Sequence, residues 1–446
     1  MATRIISTRT DAEVALADHF SAAKAGLPGN AEVKALREHA FETFATRGLP
    51  HRRVEAWHYT DLRALMREAL PLAPAPDAAA IAKVRAELDA ATFVPGPRFV
   101  ILDGVFARAL SDAPPSGVTV RSLADVLAEG RPDIVAKLAA PSFGAGDAIL
   151  ALNAAMMQDG VVIEVAPGVV VEEPLHLVYA TAATAPAACF FRSLVTVGAG
   201  AKARIVEESL GAGGRSGQTF GCLILDIADD ADVRHTCAQT RTRPGSLRLD
   251  SFIVTLGART VFDSFALIDG EGLARRQLFM RFAGDEAKAA LRGVSLLRGR
   301  EHADTTLDVE HVGLACEGRE SFRYILDEAA TGVFQGRIRV AKGAQKTDGK
   351  MMSRALLLSD DVVMNNKPEL EIFADDVACG HGATCGGLNE TQIFYLQSRG
   401  LSRPEAEALL LEAFASEMAD DIGHDGLTEA FRAEIADWLK GRAAPR

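Results

Sequence analysis

The sequence predicts a mainly β protein: a parallel β-helix core flanked by an N-terminal and a C-terminal helical region. Three observations carry this reading. From about residue 160 helical periodicity disappears, and short alternating apolar runs, each ending in a small or acidic turn, replace it until about residue 385. The runs recur at a loose interval: Val165, Val197, Ile227, Leu256, Phe282, Val309 and Val340 step by 26–32 residues. Coils of this length cannot bury an apolar face alone and must stack, and strand-only coils point to a parallel β-helix. Finally, helical patterns stand on both sides of the repeat. An all-β sandwich is the competing reading, but it gives no reason for one strand–turn–strand unit to recur at this interval.

The boundaries follow from these changes of pattern. Residues 1–155 form an N-terminal helical and mixed region, 156–385 the β-helix, and 386–446 a C-terminal helical region. In Asn30–Gly48 the apolar positions Val33, Leu36, Ala40, Phe41 and Phe44 have helical spacing, and Gly48-Leu49-Pro50 stops the pattern. Phe99–Leu102 before Asp103-Gly104 reads as a strand entering a turn, and Val118–Gly130 as a strand followed by a short helix. After residue 386, Asn389–Ser398 carries Ile393, Phe394 and Leu396 and closes on Gly400. Ser402 with Glu405 makes a capping box for a helix bearing Leu409, Leu410, Ala413, Phe414 and Met418. A third helix carries Phe431, Ile435, Trp438 and Leu439.

Composition excludes more than it assigns. At 446 residues the chain is too long for one ordinary compact core unless it is elongated. A net charge of −12 argues against a nucleic-acid binder, which needs a basic face for phosphates. No stretch approaches a membrane-spanning helix, and the N-terminus lacks an apolar segment of signal-peptide length, so a cytoplasmic location is expected. The six cysteines are not spaced like a disulfide framework, and the four before Cys379 read as reduced, buried, small apolar residues. Two nucleotide-site lookalikes fail. Gly198–Ala203 matches G-x-G-x-x-A, but alternation and a glycine cluster at 211–214 follow where a helix is required. Gly343–Lys350 has the wrong spacing for a phosphate loop, and Met351 stands where Ser or Thr would hold magnesium.

The segment Phe373–Cys385 remains. If Cys379 and His381 lie in a strand, both side chains point to one face. Thiolate and imidazole together suit iron or zinc, with Asp375 or Asp376 as further oxygen donors. A hydrogen-bonded structural pair fits the same spacing. Two residues are too few for a closed four-coordinate site, so any metal here needs ligands from a second chain.

Gln345–Asp348, Leu356–Asp360, Lys367–Val377 and Cys379–Thr384 closely resemble the SufD family, as do Ile393–Leu396 and Ser398–Gly400. Glu55–Leu62 (EAWHYTDL) looks like that family's N-terminal signature. The resemblance is densest over residues 330–420 and spans the chain in order. It implies a right-handed parallel β-helix acting as a scaffold, not an enzyme, with a SufB-like subunit and a SufC-like ATPase in iron–sulfur cluster assembly. It implies that His381 and Cys379 lie at the SufB–SufD interface, where transient iron or a nascent cluster is shared between chains; flavin binding stays open. It also implies that the ATPase docks on the C-terminal helices, with Phe394, Tyr395, Arg399, Leu410 and Phe414 as expected contacts. No cysteine lies between Arg354 and Ala378, which favours the SufD over the SufB type. An isolated chain, with an uncovered β-helix end, can pair with itself in place of SufB. Two alternatives stay open: a purely structural partner of SufB and SufC that never touches iron, and, remotely, a secreted β-helix carbohydrate-active enzyme.

Overall fold

The structure, a computed structural model, describes residues 9–90, 94–138, 146–211, 217–239, 245–270 and 272–443. Its centre is a stack of coils, each giving one strand to either of two sheets. Among the described residues one sheet has ten strands and the other nine. From Val161–Val165 to the last strand, Ala378–Gly386, every strand pair is parallel, which is the parallel β-helix expected from the sequence. Inward-facing side chains of successive coils stack in columns, because strand residues alternate between faces. Val165 pairs with Val197, Val197 with Ile227, Ile227 with Leu256, and Leu256 with Phe282. Val309 is out of this column. It pairs with Met280 and Ile338, while His311 stands between Phe282 and Val340. The apolar pattern misses this position because a polar ring fills it. His311 is fully buried and stacks on Phe282, with ring centroids 4.1 Å apart and planes 13° from parallel.

One corner of each coil turns through a residue of positive φ. These are Gly168, Gly200, Asp230, Arg259, Glu286, Ala315 and Lys346, with φ of 54–71°. Each of their amides donates to a carbonyl of the following coil, from Ala199 for Gly168 to Asp376 for Lys346, at 2.6–2.9 Å. The corners therefore form a ladder of their own beside the sheets. Five of the seven are not glycine and carry a left-handed backbone that costs about 1–2 kcal/mol each.

The N-terminal elements cover the first coil. The helix Ala31–Arg47 is capped by the Asn30 side chain, which accepts from the Val33 amide, and ends at Gly48. Strand Arg98–Leu102 pairs in parallel with Leu175–Thr181, and Val118–Ser122 runs antiparallel to Val161–Val165. Both sheets are thus extended by chain from before residue 155 and end there on Val105–Phe106 and Val118–Ser122.

The Glu55–Thr60 stretch crosses the outer face of the nine-stranded sheet. Trp57 is buried there, and the Arg275 guanidinium lies 3.8 Å over its ring. Arg275 also donates to the Ala56 carbonyl at 2.7 Å and pairs with the fully buried Asp304, which accepts from the Thr60 hydroxyl. Gln335 donates to the same Ala56 carbonyl at 3.1 Å, and Lys367 pairs with Glu55 at 2.8 Å. One short segment therefore touches four successive strands of one sheet: Gly272–Phe282, His302–His311, Thr331–Val340 and Val363–Ile372.

The C-terminal helices lie on the outer face of the ten-stranded sheet. Leu411, Ala415, Met418, Phe431, Ile435, Trp438 and Leu439 pack against Val206, Phe265, Leu267, Val294, Leu296 and Ile325. Each large apolar side chain so covered contributes roughly 1.5–3 kcal/mol. The Ser402–Glu405 capping box is present, and Phe431, Ile435, Trp438 and Leu439 are buried as expected. The buried stripe of Arg403–Ser416 differs from the expected one. It runs through Ala406, Leu411 and Ala415, while Leu409 faces outward at 47% exposure. The run of three leucines made the face ambiguous, and the sheet selects Leu411. Among the described residues no helix is long and apolar enough to cross a membrane.

Candidate interface site at the open end of the β-helix

Among the described residues the stack ends without a lid. Val363–Ile372 and Ala378–Gly386 are the terminal strands of the two sheets, each paired on one side only. Their outer edges present main-chain donors and acceptors ready to pair with another chain. Val363, Ile372 and Phe373 are exposed on this coil at 48%, 40% and 63%.

Cys379 and His381 both lie in the last strand and on its inward face, as their spacing required. Cys379 stands above Gly349 and Gly318, and His381 above Met351 and Glu320. Met351 and the neighbouring columns belong to the apolar interior, which Cys379 adjoins. The two side chains thus look into the mouth of the helix, Cys379 half-buried and His381 exposed. A cleft of about 600 Å³ opens here, bordered by Cys379, His381, Met351 and Glu320 among others. Burial pushes the Cys379 thiol above its ordinary value, and the acidic Asp348 and Glu320 add to the shift while the Gly349 amide opposes it. A bound cation would supply the missing positive charge and release the proton.

The chain alone does not complete a metal shell. Among the described residues no three His, Cys, Asp or Glu side chains are grouped closely enough to hold a metal ion. Asp375 and Asp376 do not join the pair: both are exposed at the corner before the strand, and the Asp376 carboxylate pairs with Lys346. The expectation of oxygen donors there overlooked the corner, where Lys346 is held by its own amide bond to the Asp376 carbonyl.

Sequence reasoning left the role of Cys385 open and passed over Asn366. Cys385 shares the inward face and accepts from the Asn366 amide group at 3.1 Å, and Asn366 in turn accepts from the Ser353 hydroxyl at 2.7 Å. The alternation 379, 381, 383, 385 was the signal that could have placed it.

The expected partner-docking residues divide into two groups. Phe394 and Tyr395 project from Glu390–Ser398 at 72% and 56% exposure, and Arg399 lies 5.2 Å over the Tyr395 ring. That helix buries only Ile393. Leu410 and Phe414 are half-buried, and Phe414 packs on the molecule itself, 5.0 Å beneath the Arg323 guanidinium. The two nucleotide lookalikes stay rejected: a strand, Lys202–Gly211, follows the first, and the second straddles a corner and the strand Asp348–Leu357. The four cysteines before Cys379 are buried and free.

Comparison with known proteins agrees along the chain. Residues 179–414 match the model of the SUF system FeS cluster assembly SufBD core domain, and residues 11–177 that of the SufBD protein N-terminal region. An iron–sulfur cluster assembly SufBD family protein of Synechocystis sp. is 31% identical over 404 residues, 86% of each chain. Iron–sulfur cluster assembly protein SufD of Escherichia coli is 28% identical over 438 residues, 94% of this chain and all of that protein. SufD of Bacillus subtilis is 26% identical over 299 residues, covering 66% of this chain and 67% of that one. With both halves of the fold matched in order, the chain belongs to the SufBD family of iron–sulfur cluster assembly proteins and is SufD-like.

Proposed function

We propose that this chain is the SufD-type scaffold subunit of a complex with a SufB-like subunit and a SufC-like ATPase, and that a nascent cluster forms where its last coil meets SufB. The observation that carries the reading is the open mouth. An unpaired coil there exposes two sheet edges, and a thiol and an imidazole lie on the inner face beside them. In this reading the iron and the cluster are cargo. Cys379 and His381 supply a sulfur and a nitrogen from this side, and SufB supplies the remaining ligands. The exposed Phe394 and Tyr395 are the anchors for the ATPase, as unburied aromatics at a helix surface commonly are.

A second reading, a purely structural partner, is favoured by the incomplete ligand set of the chain alone. The two separate under His381→Ala. Co-expressed with SufB and SufC from the same source, the variant should assemble the complex and support ATP hydrolysis, yet lose at least tenfold in iron and acid-labile sulfide. Normal cluster content would end the ligand role. Failure of the variant to bind SufB would favour the structural one.

A further inference from the structure

Two coils below the mouth, Glu320 and His311 are buried at 2% and 0% exposure. Among the described residues, neither carboxylate oxygen of Glu320 and neither ring nitrogen of His311 has a hydrogen-bond partner. Leaving such groups unmet costs roughly 1–3 kcal/mol each, so they are not explained as packing. They face one another across a residue that has no side chain. A Cβ built on Gly318 would lie 3.0 Å from Glu320 Oε1 and 3.2 Å from His311 Nε2. Directly above Gly318 is Gly349, and directly above Gly349 is Cys379. At Gly349 the nearest atoms to such a Cβ are Cys379 Sγ and Ile338 Cγ2, both at 3.6 Å, which leaves a methyl-sized gap beneath the thiol. The walls around this column are apolar: Leu291, Phe322, Ile338, Val340 and Met351.

We propose that Glu320 and His311 form an interior site for one divalent transition-metal ion, reached from the mouth past Cys379 through the gap over Gly349 and Gly318. A carboxylate and an imidazole are borderline donors, suited to iron(II), cobalt(II) or zinc(II) more than to calcium. With two protein ligands the ion retains water. The two stacked glycines supply room for it where any larger residue would not. The thiol of Cys379 stands at the entrance with the Met351 thioether beside the same cleft, both soft donors on the way in. The site is distinct from the mouth pair, and it stands whether or not Cys379 and His381 hold a cluster.

Cobalt(II) is the probe, added anaerobically to the full chain in a His381→Ala background, so that the mouth pair is disrupted. Equilibrium dialysis and the visible d–d spectrum read stoichiometry and ligand field. The expected result is one equivalent bound, with affinity falling at least tenfold on adding Glu320→Met, His311→Phe or Gly318→Ala. The first two replacements continue the neighbouring apolar columns, and the third fills the site with a methyl group. Urea unfolding confirms that each variant is folded. No uptake by the His381→Ala chain overturns the proposal, and so does unchanged uptake by folded Glu320→Met or His311→Phe variants.

Discussion

Replacing Arg275 by Met tests how the N-terminal segment holds the β-helix. The Arg275 and Asp304 side chains are 1% and 0% exposed, and the guanidinium also bonds Ala56 and covers Trp57. Removing it leaves Asp304 as a buried anion with the Thr60 and Thr306 hydroxyls as its remaining donors. Breaking a buried pair from one side costs about 3–5 kcal/mol, within which the stacking on Trp57 contributes up to about 2. Replacing both charges, Arg275→Met with Asp304→Leu, removes the uncompensated anion and should return stability to within about 1 kcal/mol of the parent. The assay is urea unfolding of the four chains of the cycle at pH 7. Trp57 and Trp438 are the only tryptophans, so in a Trp438→Phe background fluorescence reports on the segment itself. The reasoning predicts a coupling of about 3 kcal/mol between the two sites. Additive losses, with coupling under about 0.5 kcal/mol, would refute it.

Other outcomes follow from the same structure. Burial pushes the Glu320 carboxyl from 4.5 up to about 8, so between these values the folded chain keeps a proton that the unfolded chain has lost. This contribution to the stability of the metal-free chain falls as pH rises from 4.5 to about 8, while His311, which burial lowers to about 4, contributes the opposite slope up to its ordinary value of 6.5; Glu320→Met should remove the first and gain about 3 kcal/mol at pH 7 by urea unfolding. A variant no more stable than the parent at pH 7 would contradict the shift, whose facing polar group is His311. Ala315→Gly should be neutral to stabilising by about 1 kcal/mol, because φ there is 54° and the corner amide bond is kept; a thermal melt with a clearly lower midpoint would show the corner is unstrained. Phe394→Ser with Tyr395→Ser should change stability by less than about 0.5 kcal/mol and abolish capture of a SufC-like ATPase in a pull-down. Deleting the whole 386–446 region is a poorer test, since it would bare Phe265, Leu267, Val294 and Ile325.

The repeat was legible because each coil sets apolar residues in columns: Val165 to Phe282 could be followed by eye and fall in register. Reading failed where a column holds an unusual residue, as when Val309 was chosen over His311. Cys379 and His381 were legible as a same-face pair because alternation is local. Their surroundings were not, since Glu320 lies beneath His381 only if coils of 31 and 30 residues are counted correctly. Trp57 was noticeable as part of a motif, yet its partner Arg275 is 218 positions away, and no local pattern links them. The αL corners were visible only as small or acidic turns, because five of the seven lack the glycine that would mark them.

The segment from Glu55 to Thr60 gives the molecule a mechanical property. A stack whose coils touch only their neighbours behaves like a rope: it frays from a free end and yields a little at every joint. A strap fastened to Arg275, Asp304 and Gln335, and more loosely through the solvent-exposed Lys367–Glu55 pair, takes up that slack over four coils. Fraying of the last coil must then work against bonds anchored three coils further in. The open end is thereby stiffened without being covered, and a stiff face loses less conformational freedom in any docking.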